Sequence, residues 1–171
     1  MTTNSTPKLE KFVQSYADKA GLLRLNPHRG AKRIYYLSGA VSNDPYAVLK
    51  FRLAVLFVTQ TGDYPINPLD YSPNGVSWEE ALANDLSILN RLCSFYVSAL
   101  STMNLFPTAN IPLPALLLID PPGRGIESRG VKLEKAIALA NGIPICTINP
   151  EFETILKNAI KEIESNGKRK G

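Results

Sequence analysis

The chain has 171 residues, 44% of them hydrophobic and 20% charged, with a formal net charge of +4. That length suits one domain with a substantial core, and no apolar run approaches the roughly 20 residues that span a bilayer. Two cysteines and one histidine leave too few ligands for a zinc site, so no metal is expected.

Met1 to Thr6 is polar and does not read as a secretory leader. Leu9, Phe12, Val13, Tyr16 and Ala20 follow helical spacing, which predicts a short amphipathic helix over 8–21 within an N-terminal extension of residues 1–30. Asn26-Pro27-His28-Arg29-Gly30 breaks it. Ile34 to Leu37 reads as a buried first strand, ending at Ser38-Gly39, and Ser42-Asn43-Asp44-Pro45 leads into a helix over 45–60. Tyr64 to Pro68 is a short second strand closed by proline. Ser77 with Glu80 has capping-box spacing, so a helix is expected over 78–92. Ala115 to Ile119 is a third strand, followed by a turn of Asp120, Pro121, Pro122 and Gly123 and a helix over 129–141. Ile143 to Ile148 is a fourth strand, and Asn149-Pro150 opens a last helix with Phe152, Ile155, Leu156, Ala159, Ile160 and Ile163 on one face. Alternation of this kind implies an α/β fold, with a mostly parallel sheet of four to five strands covered on both faces. Residues 31–171 form that domain.

Part of the positive charge lies in Lys168-Arg169-Lys170 and in the His28-Arg29, Lys32-Arg33 cluster. No aromatic residues interleave with the tail and no helix-turn-helix or zinc-finger pattern is present, which argues for a solvated tail over a nucleic-acid partner. Cys93 and Cys146 sit in apolar surroundings and read as free thiols of a cytoplasmic protein.

Two carboxylates stand out. Trp78, Leu82, Asp85, Leu89 and Leu92 recur at helical steps, which puts Asp85 inside an apolar stripe. A buried carboxylate is paired, protonated or functional. It either caps a loop or meets an arginine, or it faces a cavity at the sheet edge. On the 129–141 helix, Leu133, Ala136, Ile137 and Ala140 read as the buried face, with Lys132 and Glu134 at its borders. Gly130 leaves space one turn earlier, and the first amides with the Ser128 hydroxyl form an anion seat. Glu134 is either a boundary glutamate paired with a lysine or a working acid. Trp78 reads as a core anchor, and Arg129 as an exposed helix-start residue.

Tyr36-Leu37-Ser38-Gly39, Asn67-Pro68, Trp78-Glu79-Glu80 with Asp85-Leu86, and Ser128-Arg129-Gly130 with Leu133-Glu134 and Ile137-Ala138 together carry a resemblance. In that order the chain resembles the nucleoside 2-deoxyribosyltransferase-like superfamily, in particular a branch found in bacteria and phages, over roughly residues 33–148. The spacing of Ser128, Gly130 and Glu134 is also similar to that of the 2′-deoxynucleoside 5′-phosphate N-hydrolases. The resemblance implies a flavodoxin-like (Rossmann-like) three-layer sandwich, assembled as a homo-oligomer, acting on a nucleoside or nucleotide with no cofactor.

It further implies that Glu134 attacks the anomeric carbon to form a glycosyl-enzyme ester, with Asp85 contacting sugar hydroxyls or handling the proton of the departing base. Tyr36, Gly39, Asn67, Ser128, Arg129 and Gly130 would bind substrate. Gly39 would let the backbone approach the sugar, and both acids should open onto one cavity.

The chain also departs from that pattern. Residues 94–114 form an insert with a helical continuation, Phe95 to Leu105, and a proline-spaced loop. Pro121 to Gly125 replaces a tryptophan-bearing turn, and Ala40 weakens the case for a phosphate loop. A phosphoribohydrolase of the lysine-decarboxylase-like type is a second enzymatic reading, lacking its Pro-Gly-Gly and Gly-Thr elements. A catalytically silent nucleotide-binding or structural protein on the same fold is the third.

Overall fold

The computed structural model describes residues 7–22, 32–72, 75–120 and 127–169. In chain order these form α1 (Pro7–Lys19), β1 (Arg33–Ser38), α2 (Ala47–Gln60), β2 (Tyr64–Ile66), a 3-10 turn (Pro68–Asp70), α3 (Trp78–Leu105), β3 (Leu113–Leu118), α4 (Arg129–Ala140), β4 (Ile145–Thr147) and α5 (Glu151–Lys168). The four strands pair in the order β2-β1-β3-β4, all parallel. Helices cover both faces, so the fold is the flavodoxin-like three-layer sandwich.

Alternation along the strands divides the core in two. Leu37, Leu117 and Ile119 face one way and pack with Val13 and Ala17 of α1, Phe51, Leu53 and Ala54 of α2, and Phe152, Leu156 and Ala159 of α5. Tyr36 and Leu116 face the other way, against Leu89, Leu92 and Cys93 of α3 and Ala138 of α4. Each fully buried aliphatic or aromatic side chain here contributes roughly 1.5–3 kcal/mol. The N-terminal helix is therefore part of the core: Val13 and Ala17 are buried against α2 and α5.

Ser77 and Glu80 make both bonds of the capping box at the start of α3. That helix runs on past residue 92, unbroken to Leu105, so the helical continuation expected over Phe95 to Leu105 is there and belongs to the same helix. No proline or glycine interrupts residues 78–105, so nothing in the sequence ends it earlier.

The chain steps from β1 to β2 through α2, then crosses back over β1 through α3 to reach β3. The direction of winding reverses between β1 and β3. Beyond the carboxyl ends of those two strands lies the switch point where ligands bind in open α/β sheets.

Candidate functional site at the sheet's switch point

Tyr36 and Ser38 are two residues apart on β1, so both side chains point to the α3/α4 face. Glu134 reaches back from the second turn of α4 to meet them. The Tyr36 hydroxyl donates to Glu134 Oε1 at 2.8 Å, and the Ser38 hydroxyl donates to Oε2 at 2.5 Å. Glu134 is only 5% exposed. Its carboxyl is pushed up, because burial outweighs the lowering by the hydrogen bonds from Ser38 and Tyr36. The Tyr36 hydroxyl is itself raised, by burial first and then by the charges of Glu134 and Asp85, so it stays a donor.

Asp85 faces this group from α3. Burial, then the charge of Glu134, pushes its carboxyl up to about 7. Its Oδ1 is buried and has no hydrogen-bond partner. The two acids thus interact but differ in surroundings. Two donors hold Glu134 in the form that accepts, while Asp85 has an unsatisfied oxygen and gains from a proton. Such a pair titrates as a unit, with the proton favoured on Asp85. An acceptor carboxylate beside a carboxylic acid near neutrality can serve as nucleophile and general acid, or can hold a hydroxyl-rich ligand.

The proton on Asp85 has a measurable consequence. Between about pH 4 and 7 the folded chain keeps a proton that the unfolded chain has released, so stability falls as pH rises through that window. Below it both states are protonated and the difference vanishes. Asp85→Asn is expected to match wild type near pH 4 and to exceed it at pH 8 by about 1 kcal/mol, discounted for its solvent-facing side. Urea unfolding at both pH values checks this, and parallel curves would contradict it.

No family model, curated protein or solved structure matches this chain.

The other expected site residues fall differently. Ser128 is the N-cap of α4, its Oγ accepting from the Val131 amide at 3.2 Å. Arg129 is exposed, and its guanidinium lies over the Trp78 ring at 5.6 Å from the centroid. Trp78 is 41% exposed and is therefore not a core anchor. Gly130 faces Leu82: a Cβ there would lie 3.9 Å from that leucine's Cδ1 and 4.0 Å from Ser128 Oγ, both ordinary contacts. Asn67 is buried at the end of β2. Its Oδ1 accepts from the Leu69 amide, and its Nδ2 has no partner.

Gly39 packs closely against the segment that follows β3. A Cβ there would lie 2.7 Å from Ile119 Cγ1 and 3.2 Å from Asp120 Oδ2, so the strand-end side chains of β3 already fill that space. The buried face of α4 is Val131, Glu134 and Ala138. Leu133, Ala136 and Ala140 are exposed, so Glu134 lies on the core stripe and not at its border. The reason is that Tyr36 and Ser38 supply the polar partners that let a carboxylate sit there.

A shallow hollow of about 520 Å³ is lined by Asn90, Cys93, Ser94, Val97 and Asn141, toward the opposite end of α3 and α4 from the acids. The turn Pro121–Gly125 and the His28-Arg29 pair lie outside the described residues. Among the described residues no three His, Cys, Asp or Glu side chains converge to hold a metal ion.

Two features escaped the sequence reading. Ser38 is the closest partner of Glu134. Lys50 is buried beside the β1–α2 turn, its Nζ donating to Ala40 O at 2.8 Å, Asp44 Oδ2 at 2.7 Å and Asp120 Oδ1 at 2.7 Å. A signal for Lys50 existed: with Leu53, Ala54 and Phe57 it falls on one helical stripe, the pattern that singled out Asp85.

Proposed function

We propose that this chain cleaves or transfers the N-glycosidic bond of a (deoxy)nucleoside or nucleoside 5′-monophosphate. A carboxylate oxygen of Glu134 attacks the anomeric carbon, the bond from that carbon to the base nitrogen breaks, and its electron pair leaves with the base. Asp85 supplies the proton the base takes up. Water or a second base then attacks the sugar ester, freeing Glu134 and returning a proton to Asp85. The observation that carries the reading is the pairing at the switch point: a carboxylate held by two hydroxyls, next to an acid with an unpartnered oxygen. The motif resemblance supports the same assignment. Chromatography for free base from deoxynucleosides and their monophosphates, with wild type and Glu134→Gln in parallel, tests it.

A silent binding protein on the same fold is the second reading. It is favoured by the 5% exposure of Glu134 and by the occupation of both its oxygens. Ligand bound without release of base would establish it.

Homo-oligomerisation belongs to the first reading. The far half of α3 leaves Val97, Leu100 and Leu105, with Phe106, exposed, a surface that such an assembly would cover. Sedimentation equilibrium is expected to give a species heavier than the 18.8 kDa chain; a monomer across the concentration range would refute it.

A further inference from the structure

We infer that the ligand of this site is a free nucleoside whose sugar carries no phosphate, because the protein's own carboxylates occupy the anion seat at the β1–α2 turn. The inference rests on the N-glycosidic reading for the identity of the sugar.

In a sheet wound this way, the turn after the first strand and the start of the following helix offer amides to an anion. Here two of those donors are already used. The Ala40 amide donates to Asp120 Oδ2 at 2.6 Å, and the Tyr46 amide at the head of α2 donates to Asp44 Oδ1 at 2.9 Å. Lys50 is the cation at this turn, and its ammonium has three protons and three acceptors. Its side chain is 2% exposed, so it cannot swing toward an incoming phosphate without breaking all three bonds. Gly39 leaves no gap, since Ile119 and Asp120 fill it.

The charge balance points the same way. One lysine against Asp44 and Asp120 leaves a formal excess of one negative charge. The carboxylates are the solvent-facing members, at 27% and 36% exposure. Glu134 is tied to β1 at Ser38, two residues before Ala40 of this turn. Arg129, the cation at the start of α4, is five residues before Glu134, about 140° around the helix, and lies over the Trp78 ring. A dianionic phosphate would meet carboxylates here, whereas a sugar hydroxyl can donate to them.

The test uses the full chain and compares a 2′-deoxynucleoside with its 5′-monophosphate, by calorimetric binding and by release of base. The nucleoside is expected to bind at least about 100-fold more tightly in low salt, and the gap should narrow several-fold near 0.5 M salt, where exposed charges are screened. Asp44→Asn combined with Asp120→Asn should narrow it by about tenfold in low salt; the salt series on wild type stands even if that variant does not fold. A monophosphate that binds as tightly as the nucleoside overturns the inference and leaves the N-glycosidic reading in place. A gap indifferent to salt also overturns it. A nucleoside that binds in preference but is not cleaved supports the inference and overturns the enzymatic reading, and binding of neither ligand overturns both.

Discussion

Glu134→Gln is expected to release free base at less than about one-thousandth of the wild-type rate, a loss of about 4 kcal/mol of transition-state stabilisation. The amide has nearly the same volume as the carboxylate and keeps one acceptor for the Tyr36 or Ser38 hydroxyl, so the packing around residue 134 is retained. What it lacks is a nucleophilic oxygen able to form the sugar ester. Circular dichroism and the urea midpoint should stay close to wild type while base release collapses. Unchanged release would remove Glu134 from the chemistry, and no release by wild type from any nucleoside or nucleotide would sink the enzymatic reading itself.

Lys50→Met should have the largest effect on stability, about 3 kcal/mol. The methionine replaces the buried aliphatic stem of Lys50 but leaves Asp44, Asp120 and the Ala40 carbonyl without their shared donor. Two carboxylates then face each other without a cation, and only their partial exposure limits the penalty. For a domain whose whole stability is about 5–15 kcal/mol, this is a large share. Asp44→Asn should cost less, because its amide oxygen can still accept from Lys50. Equal urea midpoints for wild type and Lys50→Met would show that this cluster does not hold the turn.

The layer order was readable because it depends on local signals. The Ser77–Glu80 capping box, the apolar run before Asp120 and the break at Asn149-Pro150 each mark an element edge without reference to the rest of the chain. Asp85 was readable for the same reason, as a charge on an apolar stripe of one helix. The partners of Glu134 were not. Tyr36 and Ser38 lie 98 and 96 residues away, and no periodicity within α4 announces them. Reading α4 alone therefore moved the carboxylate to the border and chose Leu133 for the core, although Leu133 is 38% exposed. The packing at Gly39 was hidden on similar grounds: the glycine was visible, but Ile119 and Asp120, which a Cβ there would meet, follow another strand about 80 residues on.

Pairing between β1 and β3 fixes more than the sheet. Tyr36 lies opposite Leu116 and Ser38 opposite Leu118. Sliding β1 by a single position would rotate both hydroxyls to the α2 side and bring Leu37 to the Glu134 side. Glu134 would then be sealed against hydrocarbon with nothing to bond to. A misaligned strand cannot survive as a slightly faulty copy of this protein, so the acid at the centre of the site also proofreads the assembly of the sheet beneath it.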